Sequence, residues 1–178
     1  TGGKPQSLVE KAASALNKAI QDSTIVNQAT LEWADRTFKD LIDNKPDHLW
    51  APLWRSKTLS AMNKTNEARA LLIPFARTKS SQSWVWKGLA ETYPAKEDMH
   101  LALLSQAYFC GQSSDEIFNL SIYQMLADVF NLRQQYAQSL YFLERIQSVR
   151  LNKKYSTDNI DQQMTQDIFE NVTSASEP

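Results

Sequence analysis

Apolar residues recur along this chain at three- and four-residue steps, the spacing that places them on one face of a helix. Leu8, Ala12, Ala15, Leu16 and Ala19 mark such a stripe between Pro5 and Ile20. Pro5 can open that helix, because a proline in the first turn loses no intrahelical bond. After a polar connection over Gln21 to Val26, a second stripe carries Leu31, Ala34, Phe38, Leu41 and Ile42 and stops at Pro46. Asp47 then caps a helix with Leu49, Trp50, Leu53, Leu59 and Met62, and Pro52 lies near its start. The next helix, from about Asn66 to Lys79, holds Ala68, Leu71, Leu72, Phe75 and Ala76. Pro74 lies inside it. An interior proline costs about 3 kcal/mol and predicts a bend near residues 70–74.

The pattern continues to the end of the chain. Ser80 to Ser83 offers N-caps for a helix from Trp84 to Tyr93, which Pro94 ends. Lys96 to Cys110 follows, with Gly111 as a C-terminal cap residue. Ser114-Asp115-Glu116 opens a helix to about Leu132, and Gln134 to Val149 is its partner. Leu151 to Thr157 reads as a polar loop. Asp158 to Val172 is a last helix using Ile160, Met164, Ile168 and Phe169. About nine helices with short connections make an all-α chain of antiparallel pairs. Residues 1–4 are expected to be disordered, 5–172 to form one helical domain, and 173–178 to fray. The start, Thr1-Gly2-Gly3-Lys4-Pro5, reads as a cloning remnant or a cut from a longer chain.

Spacing sharpens the picture. Trp86, Leu89, Ala90 and Tyr93 spell W-x2-L-A-x2-Y, and Ala102 follows Ala90 by twelve residues. Ala34, Ala68 and Ala102 fall at steps of 34. Tyr123, Leu126, Ala127 and Phe130 repeat the first pattern 37 residues on, with Ser139 in the small-residue place. Over about residues 27 to 150 the chain resembles the tetratricopeptide repeat (TPR) family of stacked helix pairs. Pro52, where a large residue belongs, and Pro74 depart from the repeat. The resemblance implies a TPR-like α-solenoid whose first helices line a concave, peptide-holding groove. By position that face takes Trp50, Leu53 and Lys57 from one pair. The next supplies Trp84, Lys87 and Glu91, and the last supplies Ser121, Gln124 and Asp128. Trp50 and Trp84 either line the groove or pack between neighbouring helices; Trp54 and Trp86 are read as core. The lysine–asparagine carboxylate clamp of chaperone-binding members lacks its asparagines here.

Charge adds a candidate partner. The chain carries −1 overall, yet residues 45 to 87 hold eight basic residues against Asp47 and Glu67, a local +6. Either these are solvated lysines of helix faces or they meet an acidic protein or peptide. Four of the five tryptophans lie in the same segment, so single-stranded nucleic acid is an alternative partner; against it stands a pI near 6.1. A third reading is a regulatory or docking domain of a larger enzyme.

Catalytic and metal chemistry find no pattern here. The two histidines, His48 and His100, have no second ligand at metal spacing and read as structural or solvated. His100 and Cys110 lie about 15 Å apart along one helix, too far for a nucleophile–base pair. Cys110 reads as a buried small apolar group near a helix end. No glycine-rich phosphate loop occurs. The expectation is therefore a non-enzymatic scaffold with no cofactor. A single cysteine fits a reducing, cytoplasmic setting, and no apolar run approaches the roughly 18 residues of a membrane span.

Overall fold

The computed structural model describes residues 7–22, 27–112 and 114–164. The expected disordered start, the opening at Pro5, the tail and the later part of the last helix, with Ile168 and Phe169, lie outside the described residues. Those residues are all helical, with no strand. The elements are α1 (Leu8–Asp22), α2 (Gln28–Asn44), α3 (Ala51–Ala61), α4 (Thr65–Thr78), α5 (Ser83–Ala90) and α6 (Asp98–Gly111). A 3-10 turn at Glu116–Asn119 leads into α7 (Leu120–Leu132), α8 (Tyr136–Asn152) and α9 (Asp158–Gln163). They form two compact units, Thr1–Thr78 and Lys79–Pro178.

In the first unit α1 packs on α2, α2 on α3 and α3 on α4. A capping box starts α1: Glu10 N–H donates to Ser7 Oγ at 3.3 Å, and Ser7 N–H donates to Glu10 Oε2 at 2.6 Å. That backbone bond comes first, and the Lys45 ammonium second, in holding the Glu10 carboxyl down at about 2. The helix turns inward a face different from the expected one. Ala13 is buried, and Leu16 and Ile20 pack beside it, while Leu8, Ala12, Ala15 and Ala19 are exposed. The two bulky side chains Leu16 and Ile20 lie four apart on one face. Burying that face removes more apolar surface from water than burying three alanines. Leu31, Ala34, Phe38 and Leu41 of α2 form the expected stripe and meet Ala51 and Trp54 of α3. The helix α4 continues through Pro74 to Thr78.

In the second unit α5 packs on α6, α6 on α7, α7 on α8 and α8 on α9. Two helix hairpins, α3–α4 and α7–α8, share one turn. Each joins its helices through three residues, 62–64 and 133–135. Asn63 (φ 59°) and Gln134 (φ 58°) are left-handed. The next amides, of Lys64 and Gln135, donate back five residues to Leu59 O and Phe130 O, each at 2.8 Å. This is the Schellman ending. Seven residues before each left-handed residue, and five after it, sit small buried side chains: Ser56 and Ala68, Ala127 and Ser139. Ser139 Oγ donates to Ala127 O at 2.8 Å. Lys154 (φ 58°) ends α8 in the same way, through Tyr155 N–H to Arg150 O; the helix thus extends into the segment expected to be a polar loop.

None of these three left-handed residues is glycine. Gln134→Gly is expected to stabilise the protein by about 1 kcal/mol, because a side chain in this region is strained and glycine is not. A urea midpoint below that of the parent would count against it.

The α5–α6 pair departs from this hairpin. Its connection runs over residues 91–97. His100 is wedged behind it, 5% exposed, with Nδ1 at 2.8 Å from Ala90 O and 3.0 Å from Tyr93 O. The longer turn rotates α6 relative to the twelve-residue spacing. Leu103, Leu104 and Ala107 face the core, and Ala102 is exposed. Gly111 corrects another expectation. It lies in the last turn of α6 with ordinary φ, and what it provides is space, not a left-handed cap. The buried Asn119 side chain fills that space, and its Nδ2 donates to Gly111 O at 2.8 Å.

Candidate functional site

The nine residues of the candidate face are divided between the units. Trp50, Leu53 and Lys57 belong to the first, and Trp84, Lys87, Glu91, Ser121, Gln124 and Asp128 to the second. Trp50 stands at the start of α3 and is 36% exposed. Leu53, one turn on, is buried. Lys57 is half-buried, and among the described residues it has no ion-pair partner. Trp84, in the first turn of α5, is half-buried, and its Nε1 donates to Gln82 Oε1 at 3.2 Å. Lys87 pairs with Glu91 at 2.7 Å across one helical turn. Gln124 Nε2 donates to Asp128 Oδ1 at 2.9 Å and to Gln163 Oε1 of α9 at 3.1 Å. Gln163 Nε2 in turn donates to Asp128 at 3.3 Å. The α7 part of the face is thus tied to α9, a contact 35 to 39 residues away in sequence.

Three of the eight basic residues between 45 and 87 are matched locally: Lys45 by Glu10 at 3.0 Å, Arg55 by Asp35 at 2.8 Å, and Lys87 by Glu91. The positive excess read from the sequence is smaller in the folded chain. The tryptophans are similarly occupied. Trp54 is buried, its ring centroid 5.8 Å from Phe38 and 5.4 Å from His48. Trp86 Nε1 donates to Ser80 O at 2.7 Å.

Both histidines serve the backbone. His48 Nδ1 accepts from the amides of Trp50 at 3.2 Å and Ala51 at 3.0 Å, closing the start of α3. Aspartate was the expected cap there; the neighbouring imidazole does the work. Cys110 is half-buried, and its Sγ lies 3.3 Å from Ser80 O. Among the described residues no group of three or more His, Cys, Asp or Glu is placed to hold a metal ion.

A polar and aromatic cluster in the second unit was not foreseen. Arg145 of α8 pairs with Glu116 through one arm and donates to Tyr141 Oη at 3.1 Å through the other. Its guanidinium carbon lies 5.4 Å from the centroid of the Tyr123 ring. Tyr108 and Tyr141 share a hydrogen bond, which raises the Tyr108 phenol above its ordinary value and lowers that of Tyr141. The cluster joins α6, the 3-10 turn, α7 and α8. Only its Tyr141–Arg145 step, four residues on one helix, was legible in the sequence.

Over residues 49–178 the chain matches a family model described as a domain of unknown function, DUF7017. The chain belongs to the DUF7017 family. The match begins at Leu49, so α1 and α2 lie outside it and α3 to α9 inside. No curated protein matches the chain, and no solved structure does.

Proposed function

We propose that this chain is a non-enzymatic scaffold domain of TPR-like helical-repeat type that binds a protein or peptide segment. The observation that carries the reading is the pair of equivalent hairpins. Both α3–α4 and α7–α8 have three-residue turns, a left-handed residue at the same place, and small buried residues twelve apart. A repeated helix–turn–helix unit of this kind buries its apolar face against neighbours and leaves a row of first helices to present side chains. In the first unit α3 carries Trp50 at its start and Lys57, and in the second unit α5, the first helix of its own pair, carries Trp84 and Lys87; each of these two sets has the chemistry to recognise an acidic or carboxylate-bearing segment. The pairing of Lys45, Arg55 and Lys87 with carboxylates favours a protein partner over a nucleic-acid strand, which needs an unmatched basic stripe. A cytoplasmic setting belongs to the same reading, through the single cysteine. No helix of the described residues is long and apolar enough to cross a membrane.

The test combines Trp84→Ala with Lys87→Glu, both on half-buried α5 positions. With helical circular dichroism unchanged, partner capture in a pull-down is expected to fall about tenfold or more, as for loss of an aromatic anchor. Capture equal to the parent's would remove this face from the reading.

A further inference from the structure

The residues around His48 join three helices. Its Nδ1 holds the first two free amides of α3, and its side chain is only 9% exposed. Charged groups face it from two sides. Glu10 of α1 lies with Oε1 at 3.8 Å from Nε2, and Lys45, at the end of α2, binds that same oxygen at 3.0 Å. From α3 comes the uncharged Trp54 ring. Behind this layer lies the core shared by α1, α2 and α3, built on Ala13, Phe38, Leu41 and Trp54.

An imidazole in this position can be neutral only with Nδ1 bare and Nε2 protonated, because two N–H groups point at Nδ1. Adding a proton there sets three hydrogens against one another at the positive end of a helix. The neighbouring carboxylate offers little in return. Glu10 Oε2 already takes the Ser7 amide, and Oε1 takes Lys45. We infer that His48 is a proton-operated latch: neutral, it closes the start of α3 against α1 and α2; protonated, it swings out and loosens that junction. The latch sits immediately before the family match, at the seam between the α1–α2 pair and α3.

The direction of the shift agrees. Burial first, and Lys45 after it, push the His48 imidazole below its ordinary 6.5, with Glu10 opposing. A histidine lowered on folding stabilises the closed junction above the unfolded value of 6.5. That contribution is lost as pH falls below it towards the folded value, since the open form then binds more protons.

The experiment is hydrogen exchange on the full chain over residues 45–54, at about pH 7.5 and about pH 5.5, one unit either side of the ordinary imidazole value. His48→Asn places an amide oxygen at the same bonding distance as Nδ1 and cannot titrate. His48→Ser is a second non-titrating cap, should the asparagine variant fold poorly. At pH 7.5 His48→Asn and the parent are expected to exchange alike, while His48→Ala exchanges faster. At pH 5.5 the parent is expected to open up to about tenfold more often than either capped variant, the limit set by one pH unit of linkage. Comparison at a single pH removes the intrinsic pH dependence of exchange. A parent-to-variant ratio that is the same at both pH values overturns the latch, as does a His48→Ala junction no faster than the parent's at pH 7.5.

Discussion

Phe38→Ala is expected to cost about 3–5 kcal/mol, the range for removing a buried phenylalanine. Phe38 has no exposed surface and packs its ring against Trp54 in the core shared by α1, α2 and α3. The other members of that cluster are Ala13, Ala34, Leu41 and Ala51, three of them alanines too small to close the gap. The void would therefore persist, and cavity volume adds to the lost transfer energy. Urea unfolding followed through the amide protection of α2 and α3 measures it. Phe38→Leu, which keeps most of the volume, should lose under about 1.5 kcal/mol. If the two substitutions cost the same, the ring is not what holds this core.

Gly111→Ala should destabilise the chain although it places alanine in a helix, where alanine is normally favoured by about 1 kcal/mol. A Cβ at Gly111 would overlap Asn119 Oδ1 and come within 2.9 Å of Asn119 Cγ. Asn119 is 2% exposed, and it holds Gly111 O with its amide. It cannot retreat without breaking that bond. Overpacking and a lost buried hydrogen bond together come to about 2–4 kcal/mol, which outweighs the helix propensity. The cause is separable. In an Asn119→Ala background the clash is gone, and Gly111→Ala should then be neutral or slightly stabilising. An equal loss in both backgrounds would show that Asn119 is not the obstacle.

What could be read from the sequence depended on how local its cause was. The α2 stripe with Leu31, Ala34, Phe38 and Leu41 was legible because its period and its bulky residues agree. The inward face of α1 was misread because four apolar residues, Leu8 and three alanines, outnumbered the pair Leu16 and Ile20. Size decided the face, and the capping box Ser7–Glu10 that begins the helix is a visible S-x-x-E signal. Ala102 seemed to continue a 34-residue step, but the placement of His100 behind a long turn rotates α6. Asn63, Gln134 and Lys154 end their helices left-handed without a glycine to announce it. For the candidate face, the sequence places Lys87 beside Glu91, four residues apart on one helix. It cannot say that Leu53 is buried, or that Gln163 bonds to Gln124 and Asp128 across 35 or more residues. Those facts depend on tertiary packing that no local pattern encodes.

The two imidazoles carry one more consequence. At His48 the Nδ1 atom receives two amide hydrogens, whereas at His100 the same atom must donate, since Ala90 O and Tyr93 O are both carbonyl oxygens. The chain therefore holds its only two histidines as opposite tautomers, one in each unit. In a nitrogen-15 spectrum their Nδ1 signals belong to different chemical types, a bare ring nitrogen and a protonated one. Each unit carries a built-in spectroscopic label, so the unfolding of one can be followed separately from the other without adding a probe.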